Sequence, residues 1–488
     1  MASPTDPPPH GTRPMLVAGR QIDHYVLTRE VHQGGASHLW QATDLQADDG
    51  MPRLLKVACR TEEAMVRLEV EQALLKLLGG PHVPRHCGQG KVDGLPYLVV
   101  EQIDGPTLAH RLSGPQPLPW LEVVDLAQRL AAALHQVHRQ GALHLDLQPR
   151  HIMFRPSGEL VLVGWSLARH AQQPDLHDHT LDLDNSAYLA PEQIHWQRHD
   201  LRSDLYTWAV VVYQALAGMP PFGCPRTTGE LRQRLAKQAV PPRGLRDDCT
   251  PWLQECLLRN LDIDPAQRHA TAALLAFDLR HPDPQALTER SQWTTAVPSS
   301  GGRERWRRWR NACAAWFAND LEKPPAHPVP GAPLCLQLHT HPLVMVLLDP
   351  RANAATQTAL RRQVDWVLSG APHAHLACVA WVDTSTPESD AEAPPSWPAS
   401  PVTPSPLAQA RHWTHPLMKH GDPQRVARLS HHVIECTDGE LAETVGRWAR
   451  QHLVDQVLLS ADLGTPGCLG RLGAQMACTL TLVHHAAA

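Results

Sequence analysis

The sequence predicts an α+β fold in its first part and an α/β doubly wound parallel-sheet domain in its last part. Residues 20–282 begin with short alternating strand patterns and continue with long amphipathic helices, which is typical of an α+β arrangement. Between residues 283 and 332 the composition shifts to Pro, Ser, Gly and Arg, as expected of a domain boundary. From residue 342 onward, apolar strands alternate with helices, and this alternation favours a parallel sheet.

Composition and charge narrow the class of protein. The chain has 488 residues, enough for two or three domains, and its net charge of -5 gives no general reason to expect nucleic-acid binding. The proline-rich residues 1–19 are predicted to be disordered and contain no apolar run of signal-peptide length. Because no stretch of about 18 uninterrupted apolar residues occurs, we expect a cytoplasmic protein. The 11 cysteines include no CxxC pair, which favours reduced thiols.

The segment from Gly141 to Arg169 carries the most specific motif. A His-Leu-Asp triplet ending at Asp146 precedes two short apolar strands, at residues 151–154 and 160–163, joined by a Pro-Ser-Gly turn. This order resembles the catalytic segment of the protein kinase family, whose loop Asp accepts the proton of the substrate hydroxyl. The resemblance implies a two-lobed protein kinase-like fold over residues 20–282, with Asp146 at the catalytic position.

Three positions that support phosphoryl transfer in that family are changed here. Gln148 stands where the family has Lys, His151 where it has the metal-binding Asn, and Gly164 where it has the Asp that holds magnesium on the nucleotide phosphates. The resemblance therefore implies that no protein metal site remains and that magnesium is not expected as a cofactor. Asp146 is then a vestigial or residual catalytic group.

A second match lies near the start of the chain, where residues 25–44 predict a strand, a tight turn and a strand around Gly34 and Gly35. It resembles the kinase glycine-rich loop, whose backbone amides cover the nucleotide phosphates. Of the three motif glycines only Gly34 is present, and Leu39 takes the place of the motif Val. The resemblance places Gly34, Gly35 and Leu39 in a nucleotide site whose loop is stiffer than the family's.

The strand at residues 54–57 and the helix at residues 61–78 resemble the family's next two elements. The resemblance implies that Lys56 contacts the nucleotide phosphates and forms an ion pair with Glu71. Leu54 stands where the family has a small Ala, and its bulk would crowd the adenine pocket. ATP is therefore expected to bind weakly if it binds.

Other matches complete the expected nucleotide site and large lobe. The resemblance implies that Glu101 and Ile103, at a hinge following an apolar strand, and Met153, after the catalytic loop, border the nucleotide. Residues 187–192 match the family's YxAPE motif. The positions that hold the lobe together are matched by Glu192 and its buried partner Arg268, and by Asp204, which ties down the catalytic loop.

The linker, residues 283–332, contains a predicted basic amphipathic helix at residues 303–321. Its Trp and Phe residues share one face, and arginines cover much of the remainder. Two alternatives remain open. The aromatic face docks onto a flanking domain, which we favour, or the helix makes peripheral contact with an anionic membrane surface.

Residues 333–488 predict the α/β domain. An apolar strand at 343–348 ends in Asp349, and a segment rich in Pro, Ser and Glu at residues 383–406 is predicted to be a disordered insertion. A helix is predicted at 354–369 and another at 438–452, with further strands at 375–382, 432–435, 456–460 and 479–483.

This succession looks like the universal stress protein family. In nucleotide-binding members, an Asp after the first strand lies beside adenine and a glycine loop after the fourth strand cradles the phosphates. Asp349, Gly464 and Gly467 match these positions, but the next glycines come too soon in the loop. Nucleotide binding by this domain is therefore left open, as is oligomerisation through it.

The combined resemblances favour a catalytically impaired serine/threonine kinase-like protein, a pseudokinase, that acts as a signalling or scaffold module coupled to a stress-protein-like domain. Its expected partners are proteins of the signalling type. Two alternatives are an active atypical ATP-dependent serine/threonine kinase and a nucleotide-sensing stress-response protein that acts through the C-terminal domain.

Overall fold

The structure is a computed structural model that describes residues 16–175, 185–194, 198, 200–235, 237–282, 287–294, 341–349, 352–371, 373–384, 405–418, 429–461, 463, 467–476 and 478–483. The chain divides into two compact units. The first comprises Met1–Arg268 and Glu289–Leu334, and the second comprises His269–Thr288 and Cys335–Ala488. Each unit has hydrophobic cores of its own.

The first unit begins with an antiparallel sheet in the order β1-β2-β3-β4-β6-β5. Its strands are β1 (Gln21–Ile22), β2 (Tyr25–Gln33), β3 (Ser37–Asp44), β4 (Arg53–Ala58), β5 (His86–Val92) and β6 (Leu95–Glu101). Side chains alternate across β4, so that Leu55 and Val57 enter the core while Leu54 and Lys56 lie on the opposite face.

Helix α1 (Glu62–Leu75) follows β4. The Thr61 hydroxyl accepts a hydrogen bond from the Ala64 amide, and the acidic residues of the first turn interact favourably with the positive end of the helix dipole. Helix α1 buries one side, including Leu68, Glu71 and Leu74. This cap and this burial bring Glu71 towards the sheet.

The rest of the first unit is mainly helical. Its elements are α2 (Leu108–Arg111), α3 (Trp120–Arg139), β7 (Ala142–Leu143), β8 (Ile152–Phe154), β9 (Leu160–Leu162), β10 (Arg169–His170), α4 (Pro191–Ile194), α5 (Arg202–Ala217), α6 (Thr228–Arg234) and α7 (Pro251–Asn260). The leucines that recur at helical spacing in α3 are buried, as predicted. Strand β7 pairs with β10 and β8 pairs with β9, which brackets the catalytic-loop segment.

Glu192 and Arg268 form the buried ion pair that the sequence predicts. Arg268 Nη1 lies 2.7 Å from Glu192 Oε1, and Nη2 lies 2.9 Å from Oε2. The Arg268 side chain is 0% exposed and the Glu192 side chain is 4% exposed. The Ser203 hydroxyl also donates to Glu192, at 2.6 Å, and the guanidinium lies 4.9 Å from the centre of the Tyr206 ring. The pair joins α4 to the segment that precedes residue 269.

The second unit is built on a five-stranded sheet in the order β13-β12-β11-β14-β15, and every neighbouring pair is parallel. The strands are β11 (Leu343–Leu348), β12 (His375–Asp383), β13 (Leu429–Cys436), β14 (Gln456–Ser460) and β15 (Thr479–Val483). The helices are α8 (Ala272–Arg280), α9 (Ala354–Gly370), α10 (Pro406–Met418), α11 (Leu441–Gln451) and α12 (Cys468–Gln475).

Alternate residues of β11 enter different cores. Leu343, Met345 and Leu347 pack with side chains of α11 and α12, whereas Val344 and Val346 pack with side chains of α9 and α10. Helices therefore cover both faces of the parallel sheet, which explains why its first strand is apolar throughout.

Three features of the second unit go beyond the sequence analysis. Helix α8 lies in the range that we predict to be kinase-like, and it packs Phe277 into a core of the C-terminal sheet. Helix α10, whose Trp413 is buried, lies where no helix was expected. Helix α12 includes Gly470 and Gly473, which we had read as part of a loop.

Several expectations fall outside the described residues. These are the disorder of residues 1–15, the basic helix at residues 303–321, residues 385–404 of the insertion, and Gly464. In the part of the chain that the structure describes, no helix combines the length and the apolar character that crossing a membrane requires.

The buried pair gives a stability prediction. Arg268→Ala should lower the free energy of unfolding by about 3 to 5 kcal/mol, because Glu192 would keep a buried charge without its guanidinium. The matched control is Arg129→Ala, since Arg129 and Asp125 form a pair in the same unit in which the side chains are 46% and 54% exposed. The control should lose about 1 kcal/mol or less. Chemical denaturation measures both, and equal losses would contradict the prediction.

Candidate functional site

The predicted pair between Lys56 and Glu71 is formed. Lys56 Nζ lies 2.6 Å from Glu71 Oε2, and the side chains are 20% and 7% exposed. Glu71 Oε1 accepts a hydrogen bond from the Trp165 amide, at 3.3 Å. One carboxylate thus joins strand β4, helix α1 and the segment that follows β9.

Asp204, on α5, accepts hydrogen bonds from the backbone of the catalytic loop. Its Oδ2 accepts from the His144 amide at 2.9 Å and lies 2.9 Å from His138 Nε2, and its Oδ1 accepts from the Leu145 amide at 2.8 Å. Burial alone would raise the pKa of Asp204, but the hydrogen bonds from His138 and the loop amides hold it below its ordinary value. Leu145 has a φ of 58°, so this network fixes the loop in a conformation that few non-glycine residues adopt.

Asp146 lies next in this loop and is buried. Its Oδ1 accepts hydrogen bonds from Gln148 Nε2 at 2.7 Å and from Asn185 Nδ2 at 3.2 Å. Asn185 Oδ1 in turn accepts from Arg150 at 2.7 Å. These donors stabilise the carboxylate and compete with a substrate hydroxyl for the same oxygen. Sequence analysis did not identify Asn185 or Arg150, because neither belongs to a motif and their meeting depends on the fold.

His151 occupies the position of the family's metal-binding Asn. Its Nδ1 lies 2.8 Å from the Asp146 carbonyl oxygen and 3.3 Å from Asp146 Oδ2. Burial, together with the charges of His144, Arg150 and Lys56, lowers the pKa of His151 to about 3. The ring is therefore neutral near pH 7. Since a carbonyl can only accept, Nδ1 carries the proton and Nε2 carries a lone pair.

The His151 ring also packs against Gly164. A Cβ atom added to Gly164 would lie 2.7 to 2.8 Å from three atoms of that ring, so any side chain at residue 164 would require the ring to move. Gly164 has a φ of 80°, a conformation that favours glycine. The imidazole thus fills the space in which the family's metal-binding Asp would begin.

These residues do not fit a magnesium ion. Magnesium prefers oxygen ligands in near-octahedral geometry. The two family ligand positions offer an imidazole and a glycine, and the contact between them leaves no room for a carboxylate at residue 164.

The glycine-rich turn is built differently from a phosphate loop. The Gly34 amide donates to the Ser37 carbonyl at 3.0 Å, so this amide is committed to the turn itself. His32, in the place of the first motif glycine, has its Nε2 3.1 Å from where a Gly34 Cβ would lie. Gly35 has open space around it, and Leu39 lies opposite Lys56 in the β3–β4 register.

The face of β4 that carries Lys56 also carries Leu54. Leu54 lies opposite Val100 of β6, directly before the hinge. A leucine here projects more volume into the cleft than the family's alanine does, which is consistent with a narrowed adenine site.

The remaining hinge residues take part in contacts of their own. The Glu101 carboxylate lies 2.6 Å from Arg155 Nη2. Burial would raise the pKa of Glu101, but the hydrogen bond from Arg155 helps to hold it below its ordinary value. Ile103 is buried. Met153, in β8, pairs through its backbone with Thr107 in an isolated antiparallel β-bridge. The nucleotide contacts of Glu101, Ile103 and Met153 stay predictions.

In the second unit, Asp349 follows β11, and β14 lies beside β11 at the point where the strand order reverses. Ligands of open α/β sheets bind at the carboxyl ends of strands at such a point. Gly467 precedes helix α12 with a φ of 94°. Asp349 and Gly467 are thus at the ends of elements that can border one site, while Gly464 is outside the described residues.

Comparison with known proteins identifies the family of the N-terminal half of the chain. The model of the protein kinase domain matches residues 28–279, which is more than half of the chain.

Similar curated proteins are bacterial kinases. The chain is 29% identical over 273 residues to serine/threonine-protein kinase PknL of Mycobacterium tuberculosis, a match that covers 55% of this chain and 68% of PknL. It is 28% identical over 294 residues to PknB of Mycolicibacterium smegmatis, covering 57% and 47% respectively. It is 24% identical over 259 residues to the probable serine/threonine-protein kinase CPE1738 of Clostridium perfringens, covering 53% and 38%. By fold, by motif and by these matches, the chain belongs to the protein kinase family.

Proposed function

We propose that this protein is a pseudokinase, a signalling or scaffold protein that keeps the kinase fold without the family's magnesium-dependent phosphoryl transfer. The observation that carries the proposal is the contact between the His151 ring and Gly164. Phosphoryl transfer is catalysed mainly by positioning and charge stabilisation, with metal ions bridging the phosphates. A neutral imidazole and a glycine supply neither of the oxygen ligands that hold those ions.

Retention of the fold supports a binding role. The Lys56–Glu71 pair, the Asp204 network and the Glu192–Arg268 pair are all formed. Each keeps a buried charge satisfied, and each fixes a segment of the large or small lobe. A protein that presents a surface to a partner needs that order even when it transfers no phosphate.

The C-terminal unit extends the proposal. We assign it to the doubly wound class and to the universal stress protein type, on its parallel sheet with helices on both faces. The expected partners are signalling proteins rather than nucleic acid, in the cytoplasm. We also propose peripheral membrane contact through residues 303–321 and oligomerisation through the C-terminal unit.

A second candidate is an active, atypical serine/threonine kinase. The observations that favour it are the intact Lys56–Glu71 pair, the presence of Asp146 in a fixed loop, and the kinase names of the similar bacterial proteins. The test is transfer of labelled phosphate from ATP with magnesium or manganese. A transfer rate that Asp146→Asn abolishes would establish this candidate and overturn the pseudokinase proposal.

A third candidate is a nucleotide sensor that acts through the C-terminal unit. It is favoured by the placement of Asp349 at the reversal of strand order. Titration of the full chain with ATP separates it from the first two, because binding would then be lost in Asp349→Asn and kept in Lys56→Met.

The first functional prediction concerns nucleotide affinity. ATP should bind the full chain weakly or not at all, and magnesium should change the affinity by less than about threefold, because no carboxylate is available at residue 164 to hold the ion. Isothermal titration calorimetry measures both quantities. Tight binding that depends on magnesium and is lost in Lys56→Met would count against the proposal.

The second functional prediction concerns repair of the site. Gly164→Asp alone should destabilise the protein, because its Cβ would overlap the His151 ring and its φ is 80°. His151→Asn removes the ring, so the double variant should be more stable than the sum of the single effects by about 1 to 3 kcal/mol. It should also gain magnesium-dependent ATP affinity. Chemical denaturation of the four proteins measures the coupling, and additive effects would show that the ring is not the obstacle.

A further inference from the structure

A cluster of aromatic rings lies in the second unit, apart from the kinase-like site. We call the three residues His281, His432 and His452 the histidine cluster. The ring centre of His281 lies 4.5 Å from that of His432 and 4.4 Å from that of His452. Trp448 stacks on His452 at 4.2 Å, and Phe277 of α8 lies 4.5 Å from His281. These rings join the end of α8 to strand β13 and to the end of α11.

Each ring of the histidine cluster has a buried nitrogen with no hydrogen-bond partner among the described residues. The atoms are His281 Nε2, His432 Nε2 and His452 Nδ1. A neutral imidazole can leave its lone-pair nitrogen unpaired at moderate cost, whereas an imidazolium must place two charged N–H donors. The packing therefore tolerates these histidines in the neutral form.

The surrounding charges act in the same direction. Arg280, the last residue of α8, lies close enough to His281 and His452 to lower the pKa of both, and its own Nη1 is buried without a partner among the described residues. Asp278 opposes this at His281, but its carboxylate also lies 3.0 Å from His269 Nε2. The nearby guanidinium disfavours both a proton and a metal cation at the cluster.

The other titratable groups around the cluster are histidines. His375 of β12 lowers the pKa of His281 and His432, and its Nε2 lies 3.1 Å from the Ser430 hydroxyl. His431 of β13 also lowers the pKa of His432. Neither His375 nor His431 can supply a negative charge that would stabilise a protonated ring of the histidine cluster.

We propose that the histidine cluster is a proton-sensitive clasp, which holds helix α8 on the C-terminal sheet while its rings are neutral and releases the helix when they are protonated. The inference does not depend on whether the kinase-like cleft binds nucleotide. All but the last residue of helix α8 lies inside residues 28–279, the kinase match, and residues 269–271 connect the helix to Arg268. Protonation would thus act on the final helix of the kinase match.

The direction of the pH effect follows from linkage. Burial, with neighbouring positive groups, lowers the pKa of His281 to about 4 and the pKa values of His432 and His452 to about 3. An exposed histidine has a pKa of about 6.5. The docked state therefore keeps its full stability above about pH 6.5 and loses it as the pH falls towards about 4, because only the released state takes up protons.

The test is hydrogen exchange of the full chain, followed by mass spectrometry of the segment 272–281 and corrected for the intrinsic exchange rate at each pH. Between about pH 7.5 and about pH 5, protection of this segment should fall by about 30-fold for each histidine that becomes exposed. Protection of α3 in the first unit should change much less. Unchanged protection of segment 272–281 would overturn the proposal.

A variant isolates the contribution of one ring. His432→Phe keeps an aromatic ring and removes the buried unpartnered nitrogen, so α8 should stay docked and its loss of protection at about pH 5 should be about 30-fold smaller than in the parent chain. The matched control is His412→Phe, at an exposed histidine of α10, which should keep the parent response. If His432→Phe does not fold, His281→Phe replaces it. A parent-like pH response in a folded variant would overturn the proposal.

Discussion

The packing of the His151 imidazole against Gly164 decides which side chains the kinase-like cleft presents at two positions of the family's metal ligands. The two residues replace the family's two metal ligands, and they fit one another, because the ring occupies the space that only a glycine leaves open. Restoring the family's metal ligand at residue 164 alone would create a clash with the ring, and restoring it at residue 151 alone would leave an empty space beside Gly164. The packing thus leaves an imidazole and a glycine at the two positions of the family's metal ligands, and the low pKa of His151 keeps its ring neutral near pH 7.

Two structural carboxylates of the kinase-like region keep the partners that the family resemblance predicts. Asp204 still receives two loop amides, and Glu192 still receives a bidentate guanidinium. Removing one partner of such a group leaves an uncompensated buried charge, which is strongly destabilising. Catalytic side chains carry no comparable requirement for folding. This difference explains how a kinase scaffold can lose its metal ligands while its structural ion pairs persist.

The resemblance to the protein kinase family was sufficient to predict the pairs Lys56–Glu71 and Glu192–Arg268, because each partner matches a fixed position of that family. Spacing could not predict that Asn185 bonds to Asp146, since the two are brought together only by the path of the intervening segment. Nor could it predict helix α10, whose short amphipathic pattern follows a Pro- and Ser-rich stretch and is stabilised by burial of Trp413 against the sheet. Local sequence patterns predict many of the helices and strands, whereas the Asn185–Asp146 contact and helix α10 depend on tertiary packing.

Helix α8 shows where homology and packing divide the chain differently. The family match runs through residue 279, yet Phe277 is buried with Leu343 and Met345 in a core of the second unit. The helix is therefore homologous to one domain and packed with another. Residues 269–271 connect Arg268 to this helix, and His281 follows the helix directly. The covalent chain therefore links the histidine cluster, through His281 and helix α8, to the residue whose guanidinium pairs with Glu192.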